Sequence, residues 1–199
     1  KILNGYLFYY GKFEYFVSER PNWFLDYKNL INFPRANIHW SDCRDTSKEG
    51  DIKECWEISR WNWAPTLARA FLLTGKIYYL KYLDNLIENW CQNNACNGGI
   101  NWLCGQEISI RLINALVSWK LLESNLNRKY PKLSSKRTEF VALHLRRISE
   151  TLYYAKAQNN NHWITESAAL FIGGNWLLKT NNKFNDEAKK WSQIGRSQL

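Results

Sequence analysis

From about Trp56 onward the apolar residues recur every three or four positions, the spacing of an amphipathic helix. In "APTLARAFLLTG" Leu67, Ala70, Phe71 and Thr74 share one face, and Gly75 is placed to end the helix. "KIYYLKYLDNLIENW" repeats the spacing through Tyr79, Leu83, Leu86 and Trp90. "EISIRLINALVSWKLLES" does so through Ile108, Leu112, Ala115 and Trp119. "SSKRTEFVALHLRRISETLYYAKA", "HWITESAALFIGGNWLLKT" and "NDEAKKWSQIGRSQ" predict three more helices. The first 55 residues differ. "SERPNWF" and "NFPRANIHW" are punctuated by proline, and "SDCRDTSKEGD" is a polar loop. The pattern predicts an irregular segment over residues 1–55, packed on a helical unit over residues 56–199. No hairpin signal follows residue 56, and the connections are short enough to make neighbours antiparallel. No repeat of fixed length is visible, so the expected fold is all-α, helical hairpins curled into an open ring. Such a ring gathers loops at one end around a groove, and the loops here carry "NGGINW" and "QNNNHW".

Composition adds a partner class. The 199 residues suffice for one domain or a large piece of a bigger protein. No run of about 18 apolar residues occurs, which argues against membrane insertion. The opening "KILNGYLFYYGKFEYF" has no signal-peptide pattern and no initiator methionine. Lys and Arg number 27 against 18 Asp and Glu, and a net charge of +9 favours polyanions: nucleic acid, anionic lipid or acidic polysaccharide. Eleven tryptophans suggest stacking on sugars or bases, beside service in the core. The basic residues are spread along the chain and form no stripe, which counts against nucleic acid. Cysteines at 43, 55, 91, 96 and 104 fit no zinc spacing. Their odd number leaves at least one free or paired outside this chain, and buried reduced thiols are expected over a disulfide framework.

Three constellations could carry chemistry. Asn159, Asn160 and Asn161 run into His162 at the start of an apolar helix. Asn161 or a neighbour would cap that helix, but a cap accounts for one asparagine. Glu166, four residues after His162, shares its helix face and could fix the imidazole tautomer. In "GGINWLCGQEISIR", Gly98 and Gly99 free the backbone before Asn101 and Trp102, and Glu107 and Arg111 are spaced for an ion pair. In "DIKECWEISRWNW", Glu57 and Arg60 are three apart beside Trp56, Trp61 and Trp63, a grouping suited to a sugar groove or to a core rim.

The order "DIKECWEISRWNWAPTLARAFLLTG", "NWLCGQEISIRLINALVSW" and "NNNHWITESAALFIGG" resembles the heparinase II/III family of polysaccharide lyases and the alginate lyases of similar architecture. The likeness runs from about Asn37 to Leu199. It implies an incomplete α/α toroid, followed in full-length members by an antiparallel β-sheet domain. It implies β-elimination on an acidic, uronate-containing polysaccharide. Asn161 matches the residue that neutralises the uronate carboxylate, and His162 matches the adjacent base or supporting histidine. Glu57, Arg60, Asn101, Trp102, Glu107 and Arg111 would line the groove or be structural. The family's leaving-group acid is a tyrosine downstream of the Asn-His pair. The last tyrosines here are Tyr153 and Tyr154, so residues 1–199 alone are expected to be inactive. Some members hold a metal in the second domain; no metal or cofactor is expected in this stretch. The resemblance implies a periplasmic or secreted protein and leaves the oligomeric state open. The alternative is a non-catalytic glycan-binding helical domain.

Overall fold

A computed structural model describes residues 1–33, 37–43, 50–125, 135–180 and 183–199. The "RDTSKE" part of the predicted polar loop lies outside them. The chain is mainly helical: α1 is Ile52–Ser59, α2 Trp63–Thr74, α3 Ile77–Asn93, α4 Gly105–Asn125, α5 Ser135–Gln158, α6 Asn161–Leu178 and α7 Asn185–Gln198. Gly75 ends α2 in the left-handed conformation (φ 66°), and its N–H caps the Phe71 carbonyl. Only glycine adopts that φ without strain. Helix α2 packs on α3 and α4, α4 on α5 and α6, and α6 on α5 and α7. Thus α2, α4 and α6 touch in succession, and each also packs against the helix that follows it.

The irregular reading of residues 1–55 is corrected at three points. Strands β1 (Tyr6–Tyr9) and β2 (Phe13–Phe16) pair antiparallel, with Tyr6 opposite Phe16 and Tyr9 opposite Phe13. A second small pair joins β3 (Leu25–Asp26) to β4 (Ile31–Asn32). The alternation in β1 buries Leu7 and Tyr9 but leaves Tyr6 and Phe8 exposed. Apolar residues on both faces hide the period of two from a hydrophobicity reading. The turn uses Tyr10 and Gly11 at φ 54° and 68°, and tyrosine is a poor signal for that conformation. Helix α1 also starts four residues earlier than the spacing suggested, because Asp51 caps it by accepting from the Lys53 N–H at 3.0 Å.

The N-terminal segment is bound to the helices by specific bonds. The Trp23 indole donates to Asn89 (2.8 Å), and its carbonyl accepts from the Asn101 amide (2.9 Å) and the Cys55 thiol. Seven of the eleven tryptophans are buried and the other four half-buried, so none stands fully exposed. Instead they form the core. Trp61 stacks on Phe140 (5.2 Å) and meets Trp90 edge-on, while Trp102 leans on His144 at 4.7 Å. The five thiols are free; Cys43 and Cys55 are buried, but Cys91 and Cys96 are exposed, against the expectation of burial. Among the described residues no helix is long and apolar enough to cross a membrane.

Helices α6 and α7 meet backbone to backbone. A Cβ on Gly174 would lie 2.7 Å from the Ser192 nitrogen, and one on Gly195 would strike the Phe171 nitrogen. Backbone cannot swing aside as a side chain can, so α7 would have to slide. Gly195→Ala is therefore expected to lower stability by about 1–3 kcal/mol despite alanine's better helix propensity. Urea denaturation measures this; an unchanged or raised midpoint would mean that the approach is not tight.

Candidate functional site

The connection between α3 and α4 is held by two buried arginines. Arg111 of α4 and Arg147 of α5 are each 1 % exposed. Arg111 donates to the carbonyls of Asn101 (3.0 Å) and Ser59, and through Nε to His144 Nε2 at 3.1 Å. Arg147 donates to the carbonyls of Trp102 (3.0 Å) and Leu103 (2.9 Å) and to the Thr151 hydroxyl. Together they grip three consecutive carbonyls. Arg111 also lies over the faces of Trp90 and Trp102, and Arg147 over Trp40 at 3.6 Å. Burial pulls Arg111 down to about 9, still above neutrality, so the charge persists. His144 is neutral: burial, then the Arg111 charge, push its pKa well down, and its Nδ1–H donates to the Phe140 carbonyl at 2.8 Å.

The fixed turn delivers Cys104 and Gly105, the start of α4, against the first turn of α6. His162 Nδ1 is 3.9 Å from Cys104 Sγ and 3.9 Å from Glu166 Oε1. The carboxylate distance is beyond hydrogen-bond range, so the pair is poised and not closed. Glu166 is 3 % exposed, and its Oε2 is buried with no partner. A Cβ on Gly105 would lie 2.5 Å from the Glu166 carboxyl carbon, so this glycine makes the room for the carboxyl. Burial raises the Glu166 pKa to about 7, with the Arg147 charge opposing. Burial also raises Cys104 to about 11, which keeps it a protonated, weakly nucleophilic thiol.

The three asparagines divide their work. Asn159 takes the left-handed conformation (φ 47°) that closes α5, a region asparagine tolerates better than most residues. Asn160 is the N-cap of α6, its side chain accepting from the His162 N–H at 2.9 Å. Asn161 is the first helical residue, exposed, and its amide meets no group among the described residues.

The other predicted residues fall into two groups. Glu57, Arg60 and Glu107 form a buried ion cluster joining α1 to α4. Arg60 binds Glu107 through two bonds of 2.6 and 2.8 Å and Glu57 through a third. Glu57 also accepts from the Tyr10 N–H (2.9 Å) and the Asn62 amide. The expected Glu107–Arg111 pair is corrected: Glu107 is taken by Arg60, while Arg111 points to carbonyls and His144. Asn101, Trp102 and Arg111 lie 1–2 % exposed in the interior, where they support the turn from behind. His162 thus lies beside Cys104, and Glu166 on the same helix lies against Gly105. A separate cleft of about 320 Å³ lies between the hairpin and helices α1 and α2, lined among others by Phe8, Glu57, Asn62 and Trp63. Cys104, Arg147 and His144 gave no sequence signal, because their partners lie 33 to 58 residues away.

Among the described residues no group of three or more His, Cys, Asp or Glu side chains is placed to hold a metal ion. Comparison with family models, curated proteins and solved structures finds no match.

Two outcomes follow. Arg60→Met leaves two buried carboxylates facing each other and should cost about 3–5 kcal/mol in denaturation; a loss below about 1 kcal/mol would mean that the cluster is solvated. Glu166 keeps its proton in the fold up to about 7, while the unfolded chain releases it near 4.5. Its contribution is therefore full below the lower value and lost as pH rises through the upper one. Glu166→Gln should raise stability by about 1–3 kcal/mol above that window and change little below it. Thermal melts on both sides of the window test this; a gain that is the same at both pH values would overturn it.

Proposed function

We propose that this chain is the helical part of a polysaccharide lyase that cleaves an acidic, uronate-containing polysaccharide by β-elimination. The support is the ordered sequence resemblance together with one structural observation. Of three consecutive asparagines, two have structural work, while the Asn161 side chain has no partner among the described residues, and Asn161 sits beside His162 on the opening turn of an 18-residue helix. The contact order in which α2, α4 and α6 touch in turn is compatible with the proposed incomplete α/α toroid.

The chemistry requires a charge-neutralising donor and a base. The C5 proton of a uronate is weakly acidic while the neighbouring carboxylate is charged. A neutral amide donates to that carboxylate without titrating, and the helix N-terminus adds positive potential. Asn161 takes this role. His162 takes the C5 proton. The C5–H electrons form the C4–C5 double bond, the C4–O bond breaks, and the leaving oxygen receives a proton from an acid, a tyrosine in the resembled family. Base catalysis of this kind supplies roughly 10²–10⁴-fold. Arg60, Glu57 and Glu107 hold α1 to α4, and Asn101, Trp102 and Arg111 act behind the site as supports. The rival, a non-catalytic glycan-binding domain, lacks an exposed tryptophan platform; Tyr153 and Tyr154 are the exposed aromatics near the end of α5.

Because Asn160 is the α6 cap, the cap and the proposed chemistry can be tested apart. Asn160→Ala removes the α6 cap and should cost about 0.5–2 kcal/mol with turnover largely kept. Asn161→Ala keeps the cap and should reduce turnover by about 10²–10³-fold with little change in melting. The assay is the ultraviolet absorbance of unsaturated uronate product from alginate, heparan sulfate or hyaluronan, measured in the whole protein. Wild-type turnover by the Asn161 variant would refute the assignment.

A further inference from the structure

Glu166 has no structural employment that its geometry explains. Its carboxyl is buried, one oxygen has no partner, and it occupies a space that exists because residue 105 lacks a side chain. The buried Arg147 charge faces it, but no hydrogen bond is formed between the two, and a glutamine would fill the same volume. On its own helix the His162 ring stands one turn earlier, with Nδ1 3.9 Å from Oε1. The ring presents Nδ1 to the carboxyl and to the Cys104 thiol, while Nε2 has no partner among the described residues.

We propose that Glu166 is a positioning residue for His162: its carboxylate, wedged over Gly105, holds the imidazole with the proton on Nδ1 and the lone pair on Nε2. This rests on the lyase reading for its purpose, since a base needs an available lone pair, but not for its geometry. When Nε2 takes a proton from carbon, the ring becomes cationic with its Nδ1–H facing the carboxylate. The 3.9 Å gap then has reason to close to hydrogen-bond length. The thiol opposes this arrangement. Cys104 is protonated, and an S–H directed at Nδ1 would favour the other tautomer. The remaining charge facing Glu166 is Arg147 from α5, which lowers its pKa and so favours the ionised, accepting form. A carboxylate is a far stronger acceptor than a thiol is a donor, so the carboxylate sets the tautomer once it is ionised.

The molecule contains its own references. His144 donates from Nδ1 to the Phe140 carbonyl and accepts at Nε2 from Arg111, which fixes the Nδ1–H tautomer. His39 accepts at Nδ1 from the Ser41 N–H, which fixes the Nε2–H tautomer. Nitrogen-15 NMR of the three histidine rings, at a pH of about 8.5 where Glu166 is ionised, should show His162 with the His144 pattern. A His162 ring with the His39 pattern overturns the proposal without any variant. Glu166→Gln should move His162 toward the His39 pattern while His144, the reporter of an intact core, stays in place. An unchanged His162 spectrum overturns the proposal. If that variant disturbs His144, Gly105→Ala decides. Its Cβ displaces the carboxyl without removing it and should shift the His162 resonances from their wild-type positions; unchanged positions count against the proposal. The lyase reading fails separately. Expected spectra with full turnover in Asn161→Ala would leave the pairing standing and remove its assigned purpose, whereas turnover lost in that variant with unchanged spectra would do the reverse.

Discussion

Two guanidinium groups, Arg111 and Arg147, hold the carbonyls of residues 101–103, and the rest of the site depends on that grip. A turn of this kind cannot satisfy its own acceptors, and burying them unpaired would cost about 1–3 kcal/mol each. Neither arginine has a carboxylate among its direct hydrogen-bond partners. Their charges are met by carbonyl dipoles and indole faces, an arrangement that works because the Trp102 and Leu103 carbonyls match the fork of Arg147 while Arg111 takes the Asn101 carbonyl. Neutral His144 completes it by accepting from Arg111, a role that a charged ring could not take. With the turn fixed, Cys104 and Gly105 have one place to be, and α6 packs against them.

The ion cluster of Glu57, Arg60 and Glu107 solves a different problem. It sits where the strained turn at Trp61, a bulky residue at φ 61°, joins α1 to α2. Arg60 is the residue before that turn, and its bonds to Glu107 hold the turn against α4. The strain is retained because charge-assisted bonds and the stacked Trp61 ring determine the geometry from both sides. Glu166 shows the opposite case: a buried carboxyl with an unmet oxygen weakens the fold as it ionises.

Legibility followed the range of the interactions. The stripes of α2 to α7 were readable because each is made by residues three or four apart, and Gly75 because its conformation is local. The first hairpin was not, because Tyr6 and Phe8 are apolar yet exposed. The spacing of Glu107 and Arg111 showed that a pair could form, not that it would. Arg60, 47 residues distant, offered Glu107 a better two-pronged partner. The same limit hid Arg147 and His144, whose roles exist only once α5 is laid beside the turn. The Asn-His junction was visible as an oddity, but its internal division was not, since the three residues are chemically identical and differ only in backbone state.

That division has an evolutionary consequence. The run reads as one motif, yet its members answer to three separate constraints and should drift independently. Asn159 needs only tolerance of a left-handed backbone, which glycine meets at least as well. Asn160 needs a short side-chain acceptor, which serine, threonine or aspartate supplies. Only the third position, under the proposed chemistry, requires an amide. In relatives the first two positions would vary in either order, leaving a lone asparagine before the histidine.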